Sequence, residues 1–175
     1  MSSDIAVAEL DAQGARERLD ALSEILFDCV EGGASVSFMW PFGEEQARLY
    51  WAGVIAALME NHLRLYVAVV KGRIGGTVQL WLDSPCNQRH RGDIRKMLVH
   101  RSFRRLGVAK SLMSHAEAQA RLLGLSLLTL DTVTGSPAEQ LYDSLAWRRA
   151  GVIPQYAKWP DGRFCDATIF FKDLS

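Results

Sequence analysis

The chain has 175 residues, of which 49% are apolar and 23% are charged, and its formal net charge is zero. This length and composition predict one globular domain over residues 1–175, which would bury roughly 70% of its unfolded surface. A general nucleic-acid binder needs a strongly basic face, so the zero net charge argues against that class of partner.

Cysteine, histidine and apolar patterns narrow the class of protein further. The cysteines (Cys29, Cys86 and Cys165) have no CxxC spacing and the histidines have no HExxH spacing, so we expect reduced thiols and no metal. The start of the chain lacks a basic region followed by an apolar one. No apolar run approaches the roughly 20 residues that a membrane span needs. We therefore expect a cytoplasmic protein with no membrane partner.

The first half of the chain predicts an extended start, two helices and a two-stranded hairpin, at about residues 5–10, 13–31, 44–60 and 63–82. Gly32-Gly33 would end the first helix, and Lys71-Gly72-Arg73 would form the hairpin turn. Between the helices lies an apolar, aromatic loop over residues 34–42. Such a loop is either covered by the core or lines a pocket.

The second half predicts strand, helix, strand, helix, strand and strand, at about residues 91–100, 107–123, 125–130, 136–145, 148–153 and 168–172. Its first strand is expected to alternate strictly between two faces, Ile94, Lys96, Leu98 and His100 against Arg95, Met97 and Val99. The apolar run 125–130 predicts an interior strand. Together the elements predict an α/β (α+β) fold, with a mixed, mostly antiparallel sheet and helices on both faces.

The junction before residue 107 carries the clearest chemical signal. Arg104-Arg105-Leu106-Gly107-Val108-Ala109 joins a strand to a helix, so unpartnered amides, the helix dipole and two arginines meet there. Gly107 would let a phosphate approach the backbone closely. The sequence has no GxxxxGK[ST], and no GxGxxG follows a predicted strand. The junction predicts a cradle for an anion such as a pyrophosphate, and a helix start with two solvated arginines is the alternative.

The motif Arg-x-x-Gly-x-Ala resembles the acyl-CoA-binding motif of the GNAT superfamily of N-acyltransferases, and the predicted element order matches the GNAT fold. Within the superfamily, the chain is most similar to acetyltransferases of the tabtoxin resistance type. The likeness spans about residues 20–175. It is carried by Gly32–Met39, Lys96–Val99, Gly107 with Leu112-Met113, Leu130–Thr132 with Gly135-Ser136, Tyr142 with Leu145-Ala146, Pro154 with Tyr156, Pro160–Arg163, and Ile169 with Phe171-Lys172.

This resemblance implies that acetyl-CoA is the co-substrate. The strand that carries Met97 to Val99 would part from its neighbour and pair with the pantetheine arm, and the Val99 amide would polarise the thioester carbonyl. The amides from Arg105 to Lys110 would hold the pyrophosphate. The implied coenzyme contacts are Met97, Leu98, Val99, Arg104, Arg105, Leu106, Gly107, Val108, Ala109, Lys110, Ser136 and Tyr142.

The resemblance also implies direct transfer to a small, amino-acid-like amine. Asp131 and Asp93 match two acidic residues that would take the proton of the amine or bind its ammonium. At the position of Asp93, the tabtoxin resistance type has glutamate. Tyr142 matches the tyrosine that protonates the departing thiolate. As alternatives, Asp131 caps a loop, Asp93 is a solvated edge charge and Tyr142 packs in the core. The implied substrate contacts are Ser35, Phe38, Met39, Trp40 and Arg163.

Other functions stay open at this point. The acceptor could be a protein N-terminus or a lysine, and the domain could be an acyl-CoA sensor without turnover. A nucleic-acid module that uses Arg101, Arg104 and Arg105 is disfavoured by the zero net charge. No cysteine is expected where a nucleophile would be needed. Since GNAT proteins often form dimers, the resemblance also allows a homodimer.

Overall fold

The computed structural model describes residues 5–175. Within that range the strands are β1 (Ile5–Leu10), β2 (Leu63–Val70), β3 (Arg73–Trp81), β4 (Arg91–Val99), β5 (Leu127–Val133), β6 (Arg148–Lys158) and β7 (Phe164–Asp173). The α-helices are α1 (Ala12–Glu17), α2 (Leu19–Glu31), α3 (Glu44–Met59), α4 (Val108–Leu122) and α5 (Pro137–Ser144).

The strands of the described residues form one seven-stranded sheet in the order β1-β2-β3-β4-β5-β7-β6. Neighbouring strands are antiparallel except for β4 and β5, which are parallel. The predicted mixed, mostly antiparallel sheet is thereby confirmed. The apolar run that begins at Leu125 leads into β5, which lies inside the sheet as expected.

Helices cover both faces of this sheet, as predicted. Helices α4 and α5 pack on one face, where Leu112, Tyr142 and Phe170 share a buried cluster. Helices α2 and α3 pack on the other face, where Leu22 and Trp51 belong to a second cluster. Burial of these apolar side chains is the main favourable term that holds the layers together.

Several predicted boundaries differ from the structure. The first predicted helix is two helices, because the backbone leaves the helical conformation at Arg18, with φ −113° and ψ 16°. Strand β5 continues to Val133, so Asp131 lies inside the strand rather than at its end. Strands β6 and β7 are longer than predicted, because their backbones pair from Arg148 to Lys158. Most side chains of β6 are exposed, so its sequence lacks the apolar pattern that would indicate this length.

Strand β4 contains a β-bulge at Lys96. Gln79 pairs with Arg95 but Thr77 pairs with Leu98, so one residue of β3 faces two residues of β4. Lys96 has a φ of +46°. The bulge resets the two-residue period, so Ile94 packs under α4 whereas Leu98 packs against the α2–α3 cluster. The predicted strict alternation, with these two residues on one face, is therefore wrong.

Candidate active site

Strands β4 and β5 separate soon after they start. Only Arg91 to Asp93 of β4 pair with β5, opposite Leu127 to Thr129. Beyond Asp93, the edge of β4 has no strand partner among residues 5–175, so its amides and carbonyls are available to an extended ligand. The opening is part of a cavity of about 1280 Å³. Ligand sites usually measure about 300–1,000 Å³, so this space is large enough for a long co-substrate and an acceptor.

The anion cradle predicted from the sequence lies at one end of this cavity. Gly107 caps α4 in the left-handed conformation, with φ +91°, and no side chain caps the first amides of the helix. Arg104, Arg105 and Lys110 line the cavity nearby, and none of them forms an ion pair within the described part of the chain. Arg101 differs, because it is paired with Asp28 and Glu31 of α2. Positive charge that is not paired with a carboxylate of residues 5–175 therefore collects at the start of α4.

The implied coenzyme contacts converge on the cavity, with one exception. Leu106 is 43% exposed and does not line it. The others do: Met97, Leu98, Val99, Arg104, Arg105, Gly107, Val108, Ala109, Lys110, Ser136 and Tyr142.

Tyr142 lines the cavity where α5 packs against β7. Helix α5 is fixed by the Ser136 cap, whose hydroxyl accepts a hydrogen bond from the Glu139 amide. The Tyr142 ring is only 5% exposed and lies 5.7 Å from the Phe170 ring, centroid to centroid. Burial, and then the negative charge of Asp131, raise the pKa of the Tyr142 hydroxyl. The hydroxyl therefore holds its proton at neutral pH, as a proton donor must.

The two predicted acidic residues occupy different environments. Asp131 is exposed and lines the cavity. Asp93 does not line it, because Arg91 Nη1 donates to its Oδ1 at 2.5 Å and the Thr129 hydroxyl donates to the same oxygen. Arg95 Nη2 lies 3.4 Å from the other oxygen. Of these two predicted carboxylates, Asp131 is therefore the one that can face a ligand in the cavity.

The predicted substrate wall lies only partly in the cavity. Ser35 lines it, and its hydroxyl donates to the Lys158 carbonyl at 2.7 Å. Phe38 lies behind the wall, with its ring centroid 5.3 Å from that of Tyr50. Met39 and Trp40 are about half exposed outside the lining. Arg163 is also outside, because its guanidinium pairs with Asp161 at 2.8 Å.

The acceptor side instead contains residues that the sequence did not single out as ligand contacts. Tyr50 and Gln79 line the cavity and are joined by a 2.8 Å hydrogen bond. Burial raises the pKa of Tyr50 to about 12. Lys96 also lines the cavity, as does Trp159 in the turn after β6. Tyr50 lies on α3, and only the assembled fold brings it beside Gln79 of β3.

Cys29 of α2 is a further lining residue. The sequence placed no cysteine near the chemistry, yet this thiol borders the cavity and donates weakly to the Val99 carbonyl at 3.6 Å. Its burial raises the pKa of the thiol, an effect partly offset by Arg104. Cys29 is therefore held as a neutral thiol, which is a weak nucleophile.

Residues 5–175 contain no group of three or more His, Cys, Asp or Glu side chains placed to hold a metal ion. In the same range, every helix is too short or too polar to cross a membrane.

Comparison with known proteins defines the class of this fold and site. The family described as the acetyltransferase (GNAT) family matches residues 19–147, which is more than half of the chain. The protein belongs to the GNAT acetyltransferase family.

Solved structures share the whole architecture. An N-acetyltransferase from Staphylococcus aureus Mu50 superposes with a TM-score of 0.80 and 19% identity, over 99% of this chain and 100% of that one. The acetyltransferase candidate yncA from Salmonella typhimurium, solved with its cofactor acetyl-CoA, superposes with a TM-score of 0.80 and 18% identity, over 99% of this chain and 95% of that one. A ribosomal-protein-alanine N-acetyltransferase from Brucella melitensis superposes with a TM-score of 0.76 and 20% identity, over 96% of this chain and 99% of that one. At these identities the likeness shows the fold.

Proposed function

We propose that this protein transfers the acetyl group of acetyl-CoA directly to the amine of a small, amino-acid-like acceptor. One observation carries the proposal: a single cavity contains the anion cradle at Gly107, the open edge of β4, and the side chains of Tyr142 and Asp131. A ligand that spans the cradle and the β4 edge would have its far end beside these two side chains.

The coenzyme half of the cavity suits acetyl-CoA chemically. The free amides at the start of α4, with Arg104 and Arg105, would hold a pyrophosphate through charge and hydrogen bonds. The unpaired edge of β4 would hydrogen-bond the amide groups of the pantetheine arm. We assign the Val99 amide to the thioester carbonyl, where it would stabilise developing negative charge.

The residues around the reacting atoms divide the proton transfers between them. A lysine-like amine has an ordinary pKa of about 10.4 and an α-amine one of about 7.7–8.0, so either is mostly cationic at neutral pH and must lose a proton before it can attack. Asp131 would bind that ammonium and accept the proton, directly or through water. The amine nitrogen then bonds to the acetyl carbon while the carbon–sulfur bond breaks. Tyr142 donates its proton to the departing thiolate, and the extra proton on the acetylated nitrogen passes back to the Tyr142 oxygen, directly or through water. Holding both reactants in attack geometry can contribute about 7–11 kcal/mol.

Asp93 has a positioning role in this proposal. Its carboxylate is held by Arg91 and Thr129 at the last paired residues of β4 and β5, where the opening begins. This carboxylate is occupied by Arg91 and Thr129 and does not line the cavity. We therefore assign proton acceptance to Asp131 alone.

The amino-acid-like acceptor is supported by where the family likeness falls. The stretches at Gly32–Met39 and Pro160–Arg163 resemble acetyltransferases of the tabtoxin resistance type. Trp40, the residue after the first stretch, contacts the second, because its amide donates to the Pro160 carbonyl at 2.9 Å. Residues 32–37 of the first stretch line the cavity, and we take their likeness as support for a small amine such as a β-lactam amino acid over a protein chain.

The test is an assay of thiol release from acetyl-CoA. The purified protein is mixed with acetyl-CoA and, in turn, amino acids, polyamines, aminoglycosides, β-lactam amino acids and short peptides. We expect release with amino-acid-like amines, and an acetylated product by mass spectrometry. Release with peptides alone would contradict the small acceptor and favour protein acetylation. Tight binding of acetyl-CoA with no release by any amine would contradict catalysis and favour a sensor.

A further inference from the structure

The side chain of Lys96 has an unusual position in the cavity wall. The bulge in β4, with Lys96 at φ +46°, turns this residue out of the regular strand pattern. Its Nζ donates to the Ser37 hydroxyl at 3.0 Å. The same nitrogen lies 5.6 Å from the centroids of both the Phe38 and the Tyr50 rings. The ammonium is thus held on the acceptor side by one hydroxyl and two aromatic faces.

This ammonium has no anionic partner in the described part of the chain. No carboxylate oxygen of residues 5–175 lies within the 4.0 Å of an ion pair with Lys96, and the charge of Asp131, which lines the same cavity, acts on Lys96 from beyond that distance. A partly buried cation without an anion has lost hydration that aromatic faces replace only in part. A ligand anion placed beside Lys96 would supply the missing interaction.

The other cations that line the cavity are accounted for. Arg95 contacts Asp93 at 3.4 Å and lies over the Trp81 ring, 4.5 Å from its centroid. Arg104, Arg105 and Lys110 belong to the anion cradle at the start of α4. Arg163, one of the implied substrate contacts, is held by Asp161 outside the cavity. Lys96 is therefore the cation available on the acceptor side.

We propose that Lys96 binds the carboxylate of the acceptor, so that the enzyme selects a zwitterionic amino acid. The ammonium of the acceptor would face Asp131, and its carboxylate would face Lys96 and the Ser37 hydroxyl. This inference rests on the proposed function and deepens it, because it makes Lys96 a specificity-determining residue.

Matched pairs of acceptors test the role of Lys96. Each L-amino acid is compared with its own carboxamide, which keeps the amine but lacks the carboxylate. The wild-type enzyme is expected to prefer the acid. Lys96→Met should lower kcat/KM for the acid about 10–100-fold, the range of a charge-assisted hydrogen bond, and leave the value for the carboxamide within about twofold. Lys96→Arg should restore part of the preference.

Two controls separate binding of the carboxylate from a structural effect. Lys158→Met removes another lysine that lies over an aromatic ring, 4.9 Å from the Phe164 centroid, but outside the cavity lining, and should leave the preference unchanged. The KM for acetyl-CoA should be the same in all variants.

The contrary outcomes are distinct from one another. Acetyl transfer without preference for the acid, or an equal loss for both acceptors in Lys96→Met, would overturn the inference and leave the proposed function standing. Absence of transfer to any small amine would overturn both.

Discussion

The two halves of the cavity are built in different ways. Most of the coenzyme half comes from one short run of chain, residues 97–110. It would bind through backbone amides exposed by the separation of β4 from β5 and by the start of α4. The acceptor half comes from segments that are far apart in the chain, among them the loop after α2, the middle of α3, the bulge of β4 and the turn after β6. It presents side chains, notably Lys96, Tyr50 and Trp159.

This difference determines what a sequence can reveal. A backbone cradle constrains only a few residue types, such as a glycine at positive φ, and these lie close together in the chain. A wall of side chains tolerates many residue types, and its members meet only through long-range contacts. The residues around Gly107 therefore suffice to indicate the family. The shape of the acceptor site, in contrast, depends on how the loop after α2 packs against α3 and β6.

Tyr142 lies between the two halves, and its removal should have the largest effect. General acid catalysis typically contributes about 10²–10⁴-fold, so Tyr142→Phe should lower kcat at least tenfold, and about 100-fold if thiolate departure limits turnover. The Kd of acetyl-CoA, measured by calorimetry, should not change. Tyr156→Phe, on the exposed edge strand β6, is the matched control. Full turnover by Tyr142→Phe would show that Tyr142 is not the general acid.

The two aspartates provide a sharper test of the acceptor half. Asp131→Asn should lower kcat/KM for the acceptor about 10–100-fold, since a charge-assisted contact is lost. Asp93→Asn should act mainly on stability, lowering the free energy of unfolding by about 1–3 kcal/mol, because Arg91 loses its carboxylate in a half-buried pair. Denaturant unfolding and steady-state rates distinguish the two. A greater loss of activity in Asp93→Asn would reverse the assignment.

The glycines at the two ends of α4 test the coenzyme half. Gly107 has φ +91° and Gly124 has φ +78°, so alanine at either site should cost about 1–2 kcal/mol of stability through backbone strain. Only Gly107→Ala should also raise the Kd of acetyl-CoA, by about tenfold, because only Gly107 borders the cradle. An equal change in Kd for both variants would show that backbone strain in α4 weakens acetyl-CoA binding, and that close approach of the ligand to Gly107 does not matter.

The smallest expected effect is a change of specificity with pH. Burial lowers the pKa of Lys96 to about 8, with Asp131 of β5 opposing and Arg95 of β4 adding to that shift. Tyr50 of α3 stays neutral because its pKa is raised. Lys96 is charged below pH 8 and loses its charge above it. The acid-to-carboxamide ratio of kcat/KM in the wild type, divided by the same ratio in Lys96→Met so that the different pKa values of the two acceptor amines cancel, should therefore fall about fourfold between pH 7 and pH 8.5, following the protonated fraction of Lys96. A flat ratio would contradict the role of Lys96.

Most of the fold was predictable because its signals are local. Helix periodicity, the glycine stop at Gly32-Gly33, the Ser136-Pro137 helix start and the apolar run before β5 all lie within short windows. The bulge at Lys96 was not predictable, since it exists only in the register between β3 and β4. It also moved Leu98 to the face opposite Ile94.

The candidate site was predictable to a smaller extent. The sequence indicated both Asp93 and Asp131, but only the pairing of β4 with β5 brings Thr129 onto Asp93 and leaves Asp131 free. Arg163 pairs with the carboxylate of Asp161, two residues earlier, and so does not reach the cavity. The sequence contains both residues but does not show that they pair. Lys96 and Cys29 became visible as lining residues only when α2, α3 and β4 were assembled.

The central claim is that acetyl-CoA and the amine occupy one cavity together and react directly. Initial rates measured while both concentrations are varied test it most directly, with Cys29→Ala measured alongside the wild type. Direct transfer predicts intersecting double-reciprocal lines for both proteins, because both substrates must be bound before product leaves. Parallel lines for the wild type, together with loss of turnover in Cys29→Ala, would indicate an acetyl-cysteine intermediate and contradict the account.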